Sequence, residues 1–84
     1  MFYDERVEIN AAVDAIEQFL ATYEGVGEHH VRPSGDDVDV IKVWIEVKTP
    51  DPKAFAHKCE QAIRAKVPGA ARYRLAVRAE AGTS

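Results

Sequence analysis

Cysteine is almost absent from this chain. Cys59 is the only one, so no internal disulfide can form, and a reducing, cytoplasmic location is expected. No uncharged apolar run approaches the roughly 20 residues that a bilayer-spanning helix needs. Met1 to Glu5 does not place a basic region before an apolar one as an export signal would. Membrane insertion and export are therefore not expected. Serine is nearly as scarce: Ser34 and Ser84 are the only two, and neither stands in a motif that supplies a general base. A glycine-rich phosphate loop and a His-Glu metalloprotease signature are missing as well, so a non-enzymatic protein is expected. A strong basic excess is also lacking. The net charge of -3 argues against a committed nucleic-acid binder.

What is present is the balance of a globular protein, with 46% hydrophobic and 30% charged residues, enough of the former to build a core. A length of 84 residues sets the expectation of one domain, with its core over residues 8–80 and a frayed tail at 81–84. The longest β-branched run, Val38 to Lys48, organises the rest. One of its registers carries Ile41, Val43, Ile45 and Val47, which a strand would turn to a core. The other carries Val40, Lys42, Trp44, Glu46 and Lys48, an indole among charges on the opposite side.

Before this strand, Ile9, Ala12, Val13, Ile16, Leu20 and Tyr23 recur at helical spacing, with Phe19 at the edge of the stripe. Asp4, Glu5 and Glu8 suit the positive end of that helix, and Gly25 suits its end. Val26 to Arg32 reads as a strand, and Pro33-Ser34-Gly35-Asp36-Asp37 as the turn of a hairpin. Centred near Gly35, the turn pairs Val26 with Trp44, Glu28 with Lys42, His30 with Val40 and Arg32 with Val38. Asp36 and Asp37 then sit in an exposed turn, without the burial that would tune a carboxylate for catalysis.

Thr49-Pro50-Asp51-Pro52 ends the strand and opens a second helix with Asp51 as its cap. Phe55, Cys59, Ala62, Ile63 and the stem of Lys66 form the inward stripe of that helix, and Pro68-Gly69 stops it. Arg72 to Glu80 alternates Tyr73, Leu75, Val77 and Ala79 with Arg72, Arg74, Ala76 and Arg78, a one-sided strand. A right-handed crossover makes it a parallel neighbour of the central strand. The expected fold is α+β, a two-layer αββαβ sandwich with a three-stranded mixed sheet and both helices on one face.

Three sets of residues are candidates for function. Trp44, with Val40 and Lys42, lies on the sheet face that the helices leave bare, and a second copy of the chain is its expected cover. His57 and Glu60, three apart on a helix, can reach one divalent ion. His29 and His30 are further ligands, but adjacent strand residues point to opposite faces, so the set calls for a second subunit. Arg32, Arg72, Arg74 and Arg78 form a basic sheet surface suited to an anion or a nucleic acid. Cys59 sits between Phe55 and Ile63, where a thiol acts as a small hydrophobe.

From about Ile9 to Glu80 the chain resembles the cytosolic C-terminal domain of cation diffusion facilitator (cation efflux) proteins. The likeness rests on Gly25-Val26 after the first helix, Arg32 with Ser34-Gly35 at the hairpin and the long strand through Val47. Phe55-Ala56-His57 early in the second helix and Pro68-Gly69-Ala70 before a strand containing Val77 extend it. It implies a metallochaperone-like module that dimerises and binds divalent ions such as zinc, with His57 at a metal-binding position. Arg78 stands where that family usually has a histidine in its final strand, and the shorter hairpin leaves His29 and His30 without counterparts. The expected function is a small non-enzymatic homodimeric module that binds zinc or a similar cation and regulates. An anion or nucleic-acid binding module, or a structural subunit of a larger symmetric assembly, are the alternatives.

Overall fold

A computed structural model describes residues 5–36 and 39–82. In chain order it contains α1 (Glu5–Thr22), β1 (Val26–Pro33), β2 (Val40–Val47), α2 (Pro52–Lys66), a 3-10 turn (Pro68–Arg72) and β3 (Arg74–Ala81). The sheet order is β1-β2-β3, with β1 antiparallel and β3 parallel to β2. This is the expected α+β arrangement of two helices on one face of a three-stranded mixed sheet.

Period-two alternation in β2 buries Ile41, Val43, Ile45 and Val47 almost completely. Ile9, Ala12, Val13, Ile16 and Leu20 of α1 meet them from above β1, and Cys59 and Ile63 of α2 from above β3. Phe19, Tyr23 and Phe55 close one end of this cluster, with Tyr23 tilted on Phe19 at 5.1 Å and edge-on to Phe55 at 6.0 Å. The Asp51 carboxylate caps α2 by accepting from the Ala54 amide at 3.2 Å, with Pro52 beginning the helix. Gly25 turns the chain out of α1 at a φ of +95°, and a Cβ there would lie 2.9 Å from the Phe55 ring.

Several expectations are corrected. The hairpin pairs His30 with Trp44, Val31 with Val43, Arg32 with Lys42 and Pro33 with Ile41, displaced by four residues from the pairing centred on Gly35. The loop is longer than expected, closing where the Ser34 amide donates to the Val40 carbonyl at 2.9 Å. A bulge between Val26 and His29 then absorbs one residue. An even displacement leaves His30 and Arg32 on their expected face, whereas Val26, expected opposite Trp44 on the outer face, lies beyond the bulge, pairs with Val47 and packs against the core. Val38, expected opposite Arg32, lies outside the described residues, as do Asp4, Asp37 and the end of the tail at Thr83 and Ser84. Lys66 is exposed, and Val67 and Ala70 fill the core in its place. Arg72 belongs to the 3-10 turn and not to β3; its guanidinium donates to Glu8 of α1 at 2.8 Å, on the helix side of the sheet. The missing residue type explains this: Pro68 ends α2 but Gly69-Ala70-Ala71 carries no β-branched residue, so the chain coils once before extending.

Burial pushes the Cys59 thiol from its ordinary 9.0 up to about 11. The folded state therefore disfavours the thiolate, and the stability this contributes is complete below pH 9 and lost as pH rises from about 9 through 11. Chemical denaturation across that window is expected to show falling stability that Cys59→Ala flattens. Gly25→Ala is expected to cost about 1–2 kcal/mol from the left-handed backbone alone, with more from the Phe55 clash, measurable as a lower urea midpoint.

Candidate functional site

The even-numbered residues of β2 leave the sheet on the side away from both helices, and none of them joins the buried cluster. Across the three strands the register sets them in rows. His30, Trp44 and Arg78 make one row, and Arg32, Lys42 and Ala76 the next. The His30 imidazole lies 5.3 Å from the Trp44 ring at 31°, so the two π faces form a small platform. Trp44 and Val40 are half-buried while Lys42, Arg32, Ala76 and Arg78 are exposed. Ala76 is too short to fill its place in the row. A shallow depression results, lined by His30, Arg32, Lys42, Trp44 and Arg78 and by no carboxylate.

At the other end of the same face β2 carries Glu46, whose Cα partner on β3 is Glu80. Arg78 reaches along its own strand to Glu80 at 3.2 Å. Glu46 is half-buried between two glycines: a Cβ at Gly27 would lie 3.5 Å from its Oε1, and one at Gly82 would lie 2.9 Å from its Cγ. Among the described residues it makes no hydrogen bond or ion pair. Its place opposite Glu80 became visible only with the β2–β3 register, which strand alternation alone does not supply.

The expected metal ligands are spread over the fold. His30 faces outward on the platform. His29, next in the chain and paired with Ile45, turns toward the core side, and its Nδ1 is buried without a hydrogen-bond partner in the described structure. His57 and Glu60 line one depression with Lys53, Val77 and Ala79, between α2 and the β3 edge. There the His57 Nε2 is 3.2 Å from the Gln61 amide nitrogen, and Glu60 accepts from Arg64 at 3.4 Å. Among the described residues no three of His, Cys, Asp and Glu gather closely enough to hold an ion.

Of the expected anion-binding residues, Arg32, Arg74 and Arg78 lie on β1 and β3 and are exposed, whereas Arg72 is removed from that surface by its bond to Glu8. Ser34 has a turn role, its hydroxyl oxygen accepting from the Asp36 amide at 3.3 Å.

No helix among the described residues is long and apolar enough to cross a membrane. No protein-family model and no curated protein matches the chain significantly. Solved structures similar to this chain include C-terminal domains of MamM, a cation diffusion facilitator protein, from its cytosolic part. A zinc form of a MamM domain variant is 28% identical, with 94% of this chain and 87% of that one covered, at a TM-score of 0.47. A copper form is 27% identical over 95% of this chain and 100% of that one, with a TM-score of 0.46. For a nickel form the figures are 27%, 93% and 99%, with a TM-score of 0.45.

Proposed function

We propose that this chain is a small non-enzymatic regulatory module of the cytosol that self-associates through the outer face of its sheet and takes a divalent cation, zinc in the first instance, where two copies meet. The observation that carries this reading is the His30–Trp44 platform standing on a face that neither helix covers. Covering an indole contributes about 1.5–3 kcal/mol by area, a large fraction of the stability of a domain this small. A second copy is a cover of fixed composition that is always present.

The metal part of the reading follows from donor arithmetic. Zinc in a stable site takes about four ligands, and one chain supplies no group of three among the described residues. Pairing two outer faces brings two His30 imidazoles together beside Trp44, two of the four donors, with the remaining two positions left to water. His57 with Glu60 offers a two-donor position away from that boundary, weakened because Arg64 already engages Glu60.

A second reading, an anion or nucleic-acid site, is favoured by the carboxylate-free depression bounded by Arg32, Lys42 and Arg78. It requires affinity for a single-stranded oligonucleotide that falls steeply with salt.

The solution mass measured by light scattering is expected to be that of a dimer, raised in population by zinc and reduced to a monomer in Trp44→Ala. Calorimetric titration with zinc should give heat with the wild type and little with His30→Ala, while His57→Ala retains most of it. A monomer at every concentration, indifferent to zinc and to Trp44→Ala, would remove the proposal. Binding of a labelled oligonucleotide at low salt by that same monomer would select the second reading.

A further inference from the structure

Cations of the outer face converge on Ala76, a position with almost no side chain of its own. Lys42 on β2 is its Cα partner, and Arg32 on β1 is the partner of Lys42. Arg74 and Arg78 stand two residues to either side of Ala76 along β3, on the same face of the sheet. All five residues are exposed.

This arrangement is unfavourable in the isolated chain. Arg32 and Lys42 are directly opposed, and like charges in facing positions on neighbouring strands destabilise a sheet. Neither has a carboxylate partner among the described residues. Glu46 and Glu80 lie beyond the His30–Trp44–Arg78 row, on the side away from Ala76. Arg78 reaches Glu80 at 3.2 Å, and an ion pair at so exposed a position holds weakly.

Beside the cations stands the aromatic platform. Trp44 is the diagonal neighbour of Ala76; strands about 4.8 Å apart and two steps of about 3.3 Å put the two positions roughly 8 Å from each other. His30 lies against the indole at 5.3 Å. The depression that joins platform and cations offers about 470 Å³, within the roughly 300–1,000 Å³ of small-ligand sites.

We infer that this depression takes a nucleoside polyphosphate, its base on the His30–Trp44 platform and its phosphates over Ala76 among Arg32, Lys42 and Arg74. This rests on the second reading of the face, as an anion or nucleic-acid site, and assigns the class of ligand. A π surface next to clustered cations fits a molecule that is planar at one end and anionic at the other. The ribose is the spacer that joins the two ends across the gap. Proteins that hold a single strand stack successive bases on successive aromatics, whereas Trp44 is the only tryptophan of the chain and its platform has room for one base. No side-chain amide or carboxylate lines the depression to tell one base edge from another, so adenine and guanine nucleotides bind alike.

Trp44 reports on the site directly, because a base stacked on the chain's single indole quenches its fluorescence. Titration of the monomer at low salt, with a chelator present, is expected to show quenching by ATP and by GTP that weakens as salt is raised. Calorimetry should find inorganic triphosphate bound about tenfold more weakly than ATP, the stacking contribution being lost. Ala76→Glu sets a carboxylate among the cations and is expected to abolish binding of both, with circular dichroism unchanged. Should that variant fail to fold, Arg32→Gln/Lys42→Gln, at two exposed positions, is expected to do the same. Trp44→Leu should lower ATP affinity to that of triphosphate and leave triphosphate binding as it was. ATP bound no more tightly than triphosphate, or an oligothymidylate bound far more tightly than ATP, would overturn the nucleotide assignment while leaving the second reading in place. No binding of ATP, triphosphate or oligothymidylate at low salt overturns both.

Discussion

Everything here depends on how completely one face of β2 is consumed. Ile41, Val43, Ile45 and Val47 are at most 1% exposed, sealed by α1 on one side and α2 on the other. A strand with a period of two has no freedom left after that: the residues between must leave on the opposite side. Two helices suffice to cover one face of three strands and none remains for the other. Trp44 is therefore outside the core because the core is full, not because its own chemistry favours water.

That constraint also explains which parts of the structure were legible from residues alone. The core stripe of α1, the Asp51 cap, the turn at Gly25 and the parallel β2–β3 pairing all rest on local chemistry or on period, and they appear as expected. The hairpin register does not rest on either. It is set by the length of the loop between Pro33 and Val40 and by the bulge after Val26, and a loop rich in Ser, Gly and Asp says that a turn exists without saying where it is centred. From His29 to Pro33 the displacement is four residues, an even number, so the face assignments stand there while every cross-strand neighbour changes; Val26, beyond the bulge, is displaced by three and turns to the core side. His30 came to lie on Trp44 and Arg32 beside Lys42. Arg72 was misplaced for a related reason: alternation with Tyr73 and Leu75 extends a strand pattern backward into a segment that the 3-10 turn bends toward α1, where Glu8 holds the guanidinium.

The histidines show the limit of spacing arguments in the other direction. His29 and His30 are adjacent, and adjacency in a strand is separation in space, one ring toward the helices and one away. His57 and Glu60 are three apart, and in a helix that brings them to one side, but Arg64 one turn on competes for the carboxylate. Sequence proximity thus overstates the first pair as a ligand set, while the second has the right geometry and a divided loyalty. Among the described residues no third donor joins either pair, so within one chain the two remain apart.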